Sequence, residues 1–283
     1  MKLLTLKLLM ITTLLSTSLF ATQKIDEDII QYEKRKIGTI LKRQNIDLND
    51  VSIALKKDLK QDNWYGYVFD LTFTVKGKQV TQRDTLFTNG TLISPELINS
   101  KTRSSYKGTL YPKLGKEFFN KENLIAGDVD AKHTLVLFSD PLCPICLDEV
   151  PVIIKNVLDN PKTFALYYYN LPLQMHPTAK TLSKAAMIAH SMGKKDVEYQ
   201  LYSKNFGNMY DAYVVKDQQV ALDHFNKEFN TKITMEQIND PKLEAKLKKE
   251  MEMSEKAFVN GTPTLFLDGE VDKNRMQYET FLK

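Results

Sequence analysis

Cysteine is nearly absent from this chain: 283 residues carry two, Cys143 and Cys146, three positions apart. A link between them would close a loop too small to constrain the unfolded chain by much, so a framework of structural disulfides is excluded. An incidental local disulfide remains the plainest alternative for the pair. Histidine is also scarce. His133, His176, His190 and His224 show no ligand spacing to the cysteines or to one another, which leaves a zinc or copper site short of ligands. No block of one charge dominates. The 39 basic and 35 acidic residues interleave to a formal net charge of +4, which implies no nucleic-acid face. The Lys-rich stretch Lys242 to Lys249 reads as a solvated helix face. Repeats and low-complexity tracts are missing, and so is any apolar run long enough to span a bilayer.

What is present starts with an export-type leader at residues 1–21. Lys2 and Lys7 make a positive start, Leu8 to Leu15 a short apolar core, and Ser16 to Ala21 a small-residue end. Thr and Ser interrupt the core too often for a membrane span, although an uncleaved anchor is the alternative. Cleavage is expected near Ala21, and no cysteine lies there to take a lipid. Loss of Lys2 and Lys7 lowers the formal charge from +4 to +2. About 260 residues remain, which suggests two domains. Export predicts an oxidising compartment, where a disulfide persists.

Residues 24–44 pattern as an amphipathic helix with Ile25, Ile29, Ile37, Ile40 and Leu41 on one broad face. Strand-like runs follow at Val51–Leu59, Tyr65–Val75 and Gln79–Phe87. Lys76-Gly77-Lys78 is a hairpin signal between the last two, and Asn89-Gly90 signals a further turn. Residues 22–110 therefore read as a small α+β domain without evident chemistry, in which Trp64 and Tyr67 are core or interface residues. Residues 111–128 read as a linker with a short helix within Lys116 to Leu124. Residues 129–283 then read as strand (Thr134–Ser139), helix (Cys143–Leu158) and strand (Thr163–Asn170). A helical insertion at about 177–256 follows, then a strand at Thr264–Leu267, a turn at Gly269 and a terminal helix at Gln277–Leu282. Pro151 is expected to kink its helix, and Pro177 suits a first helical turn. Tyr199, Leu201, Tyr202, Phe206 and Tyr210 read as core of the insertion rather than a cofactor box.

The two cysteines stand in Phe138-Ser-Asp-Pro-Leu-Cys-Pro-Ile-Cys146, between an apolar run and a helix. Unpaired N–H groups and the helix dipole at such an N-terminus favour thiolate over thiol at the first sulfur. Cys143 is thus the candidate nucleophile and Cys146 the resolving thiol, with Pro144 and Ile145 forming the active-site loop. A second signal, Val259-Asn-Gly-Thr-Pro-Thr-Leu-Phe-Leu-Asp268, puts Thr262-Pro263 just before a strand. Asp140 reads first as a cap on the turn at Pro141 and second as a group that orients the loop before Cys143; His176 reads first as a surface or helix-start residue and second as lining the active-site side of the insertion.

These two stretches resemble the periplasmic thiol:disulfide interchange proteins of the DsbC/DsbG group, most closely the DsbG-type active site. The resemblance rests on about fifteen residues and on the order of the segments. It implies an α/β thioredoxin fold with an inserted helical block, preceded by a cystatin-like α+β domain that dimerises. It also implies a cis Thr262–Pro263 bond beside the sulfurs, with the Thr262 backbone pairing with a substrate strand. Leu137, six before Cys143, replaces the buried acid common in thioredoxin and DsbA-like proteins. Pro144-Ile145 offers no histidine, so a cationic neighbour in the loop is missing. The implied activity is disulfide isomerisation or reduction on exported, cysteine-bearing proteins, with a membrane redox partner, a homodimer, and neither cofactor nor metal. Alternatives are a DsbA-like oxidase and, from another class, a periplasmic holdase or metal chaperone.

Overall fold

The computed structural model describes residues 23–204 and 216–282. The expected leader, Phe206 and Tyr210 lie outside these residues. Two compact units divide between Leu110 and Tyr111.

The first unit is one helix and one sheet. Helix α1 covers residues 23–42. The sheet is antiparallel in the order β1 (Leu48–Asp58), β2 (Tyr65–Val75), β3 (Lys78–Thr88), β4 (Ile93–Ser94). The β2–β3 turn is Lys76-Gly77, with φ of 49° and 76°. Two positive φ values define the turn whose twist suits a tight hairpin, and glycine accepts the second without strain. Ile29 and Leu41 of α1 are buried with Val51, Tyr67, Phe69, Leu71, Phe73 and Leu86 of the sheet. Ile40, expected on the buried face, is 47% exposed. Trp64 is half-buried and Tyr67 wholly buried.

The second unit is built on a five-stranded sheet in the order β5 (Leu124–Gly127), β7 (Phe164–Asn170), β6 (His133–Ser139), β8 (Thr264–Leu267), β9 (Glu270–Val271). Strands β6 and β7 are parallel and joined by helix α2 (Pro144–Asp159); the other pairings are antiparallel. This is a thioredoxin-like arrangement with added helices. Side chains alternate across the sheet. Leu135, Leu137, Leu166, Tyr168, Leu265 and Leu267 pack on the face covered by α2, through Cys146, Val150, Ile153, Ile154 and Val157. Val136, Phe138, Tyr167, Tyr169 and Phe266 pack on the other, with Met253 and Ala257. Burial of both faces explains why β6 and β7 read as nearly continuous apolar runs.

The inserted helices are α3 (Ala179–Ser191), α4 (Val197–Ser203), α5 (Gln218–Phe229), α6 (Met235–Ile238) and α7 (Pro241–Lys256). Ala179, Leu182, Ala185, Ala186 and Ala189 bury against Leu222, Phe225 and Phe229.

Three expectations need correction. The stretch 111–128, read as a linker, holds short 3-10 turns and then β5, which pairs with β7 at the sheet edge. Its Leu114 and Phe118 are buried against Phe138 and Tyr169. Pro112 and Gly115 there break the pattern within the unit and do not mark a tether. Pro177 precedes the first turn of α3, whose N-cap is Thr178. The terminal segment Gln277–Phe281 is a 3-10 helix. Helix α2 runs unbroken through Pro151; proline there removes the N–H that would bond the Leu147 carbonyl. Among the described residues no helix is long and apolar enough to cross a membrane.

Candidate redox-active site

Register places the site. Strand β8 pairs antiparallel with β6, Thr264 opposite Phe138 and Leu265 opposite Leu137. The residues just before β8 therefore lie beside those just after β6, bringing Thr262-Pro263 to the Cys143 loop across about 120 residues of chain. The Thr262–Pro263 bond is cis. The Cys143 thiol donates to the Thr262 carbonyl at 3.4 Å.

Cys143 is the N-cap of α2, with Pro144 in the first turn and both Pro144 and Ile145 exposed. Proline suits that place because an N–H there has no helical partner. Cys143 keeps 6% of its surface in solvent and Cys146 none. The two are free thiols in this structure.

Their acidities are driven far apart. The Cys143 thiol is brought down to about 5, chiefly by a hydrogen bond from the Cys146 thiol. Partial burial opposes the fall, and the Thr262 hydroxyl and the N–H groups of Cys146 and Ile145 add to it. Thr262 Oγ1 is buried without a hydrogen-bond partner in the dithiol form, so it is available to turn toward the sulfur once the thiolate forms. Cys146 moves the other way. Burial pushes its thiol up strongly, and the bond to Cys143 and the charge there push it further. At neutral pH the pair is one thiolate and one thiol, the form needed for attack by Cys143 and later resolution by Cys146. The N–H groups at the helix start, expected to be the main source of stabilisation, come after the Cys146 thiol.

Asp140 and His176 are buried and bonded together, contrary to a surface reading of the histidine. Asp140 Oδ1 accepts from the Leu142 N–H at 2.7 Å, and Oδ2 accepts from the Leu173 N–H at 2.6 Å and His176 Nδ1 at 2.9 Å. Asp140 is thus both the cap of its turn and the tie between the cysteine loop and the segment after β7. Its bond to His176 raises the imidazole pKa against the effect of burial, and the Cys143 charge contributes in the same direction. An imidazole whose pKa is raised therefore bears on Cys143 from residue 176 rather than from the loop dipeptide.

Sequence reasoning also missed the hydroxyls around Cys146. Ser139 lies on the Cys146 side of β6, two residues after Leu137, and alternation alone points to it. Tyr202 comes from α4, and only the packing of that helix brings it close. Among the described residues no three His, Cys, Asp or Glu side chains gather as a metal site.

A thiolate at a helix N-terminus, a buried partner thiol and an adjacent cis-proline loop on a thioredoxin-like sheet define a dithiol–disulfide exchange centre. The chain belongs to the thioredoxin family: the family model described as Thioredoxin matches residues 120–283, more than half of the chain. It is a thiol–disulfide oxidoreductase of the thioredoxin type.

No curated protein matches the sequence. Among solved structures, it is similar to a thioredoxin-like oxidoreductase from Silicibacter pomeroyi at 21% identity and a TM-score of 0.45, covering 56% of this chain and 87% of that one. It is similar to BdbD from Bacillus subtilis at 20% identity and a TM-score of 0.47, covering 60% and 92%. A third similarity is to DsbA2 of Pseudomonas aeruginosa, at 19% identity and a TM-score of 0.39, covering 53% and 83%.

Proposed function

We propose that the protein is an exported disulfide isomerase and reductase of the DsbC/DsbG kind, acting in the periplasm on cysteine-bearing exported proteins. The observation that carries the exchange chemistry, whichever its direction, is the pairing of a Cys143 thiolate, with a pKa of about 5 and next to the Thr262 carbonyl, with a wholly buried Cys146 thiol. Cys143 attacks a wrong disulfide and forms a mixed disulfide. The Thr262 backbone holds the client strand while exchange continues, and Cys146 releases clients that stall. Residues 22–110, which offer no thiol chemistry, dimerise and place two dithiols around one client. A membrane reductase returns the pair to the dithiol state.

One observation favours the opposite direction. Stabilising the Cys143 thiolate stabilises the reduced pair, which makes the disulfide a stronger oxidant by about 30 mV for each 1.4 kcal/mol. A disulfide-introducing oxidase is therefore the second reading. The test is the redox state of Cys143 and Cys146 in the exported protein, trapped by acid and alkylation in its own cell. A mostly reduced pair supports the isomerase and reductase; a mostly oxidised pair overturns it in favour of the oxidase.

A further inference from the structure

The buried Cys146 thiol must lose its proton to resolve a mixed disulfide, and the usual buried acid is replaced by Leu137, itself fully buried on the α2 face of β6. That face carries a different set of polar groups. Ser139 is the next residue on the same side of the strand, is wholly buried, and its Oγ has no hydrogen-bond partner in the dithiol form. Its hydroxyl bears on both the Cys146 thiol and the Tyr202 hydroxyl. The Tyr202 hydroxyl lies 2.6 Å from the Tyr168 hydroxyl. Tyr168 stands opposite Leu137 in the β6–β7 register, and both tyrosines share one apolar cluster with Cys146. Tyr168 also lines a surface pocket together with Glu198, Glu250 and His190. The carboxyls of Glu198 and Glu250 both bear on its hydroxyl.

The hydroxyls of Ser139, Tyr202 and Tyr168 thus lie between the buried sulfur and a surface pocket that Tyr168 lines. Resting on the thiol-exchange reading above, we propose that Ser139, Tyr202 and Tyr168 form a proton relay that serves Cys146 in place of a buried acid. Ser139 is the residue whose hydroxyl bears on the reacting sulfur; the tyrosines act through it as positioning residues. Burial pushes both tyrosines' pKa values well up. Neither can act as a standing base, so each passes a proton only by giving one as it takes one.

The step balances. The Cys146 thiol gives its proton to Ser139 Oγ as that hydroxyl gives its own to Tyr202, Tyr202 to Tyr168, and Tyr168 to water in the pocket beside Glu198 and Glu250. The Cys146 thiolate attacks the Cys143 sulfur, the Cys143–Cys146 bond forms, and the bond from Cys143 to the client sulfur breaks. The client leaves as a thiolate and takes a proton from solvent. Two electrons pass from the pair to the client, and no other oxidant or reductant takes part. Run backward, the same relay returns the proton to Cys146 when the Cys143–Cys146 disulfide is reduced by a dithiol, which leaves as the disulfide.

The experiment uses the full chain, with oxidised glutathione as the probe. Rapid alkylation quench separates formation of the Cys143–glutathione mixed disulfide from its resolution by Cys146. In Ser139→Ala and Tyr202→Phe, resolution should slow by about 10- to 100-fold, and the isotope effect of heavy water on that step should shrink. Tyr168→Phe should give the same sign. Attack by Cys143 and the pH midpoint of its alkylation should stay within about twofold in rate and about half a pH unit, because the relay serves the second step. Resolution at the unaltered rate in all three variants overturns the relay alone. So does a parallel fall of attack and resolution, the mark of a displaced site. Failure of the unaltered protein to form any mixed disulfide overturns the exchange function, and the relay with it.

Discussion

Two sulfurs of one side-chain type behave as opposites because their surroundings differ. Cys143 sits where donors converge on it, and Cys146 sits in apolar core with a negative neighbour. Removing the Cys146 donor should therefore raise the Cys143 pKa from about 5 toward the free-thiol range. Cys146→Ala should raise it more than Cys146→Ser, which keeps a hydroxyl donor, as read by the pH dependence of iodoacetamide alkylation mapped to the Cys143 peptide. Equal midpoints in both variants and the unaltered protein would remove Cys146 as the main cause. A depressed folded-state pKa also links stability to pH. The unfolded thiol titrates at about 8.5, so the thiolate's contribution is complete above that pH and is lost as pH falls through about 5. The denaturation midpoint of the reduced protein should rise between those limits relative to that of the oxidised protein, which has no thiolate to lose. A difference that stays flat from pH 5 to 8.5 would contradict the assignment.

At the scale of elements, the site is the meeting of one strand end, one helix start and one loop. Strand β6 delivers the chain to Asp140, whose carboxylate takes three hydrogen bonds, two of them from the segment following β7. Helix α2 begins at the point this turn sets, and β8 brings Thr262 opposite it through its pairing with β6. Asp140→Ala leaves two backbone N–H groups and an imidazole buried without their acceptor. It should cost about 3 kcal/mol in denaturant unfolding, and Cys143 alkylation should lose its low pH midpoint as the loop loosens. Asp140→Asn, which retains an acceptor oxygen, should cost about half as much. Equal stability of Asp140→Ala and the unaltered protein would show that the carboxylate does not tie the loop.

At the scale of the whole molecule, the dithiol lies in the second unit, and the first is one helix and one antiparallel sheet. The boundary matters for dissection. Leu114 and Phe118 belong to the core of the second unit, and the family match opens at residue 120, before β5. A chain beginning at Tyr111 should therefore retain the whole redox unit, whereas one beginning at Val129 would lose an edge strand and its buried side chains. The Tyr111 chain should keep Cys143 alkylation with its midpoint of about 5. Under the dimeric reading it should scatter light as a monomer and refold scrambled substrate several-fold more slowly than the mature protein, which should be a dimer at micromolar concentration. A monomeric mature protein that refolds substrate no faster than the Tyr111 chain would sink the dimeric isomerase and leave the oxidase.

Local chemistry was enough to read much of this from the amino-acid order. Cys143-Pro-Ile-Cys146 after an apolar run, and Thr262-Pro263 before another, carry their meaning in adjacent residues, because a helix start and a strand entry are short-range structures. The hairpin at Lys76-Gly77 and the burial of both faces of β6 and β7 follow from turn chemistry and apolar patterning in the same way. Pattern failed where partners are distant. Strand β5 has few residues and earns its place only by pairing with β7, so it passed for linker. His176 looks like a helix-start residue until Asp140, 36 positions away, is seen to hold it in the interior. The low Cys143 pKa needs the Cys146 thiol turned toward it, and the hydroxyl line behind Cys146 needs α4 packed on the sheet. Hydrogen bonds and burial between segments are set by packing, and packing is what only the tertiary structure decides.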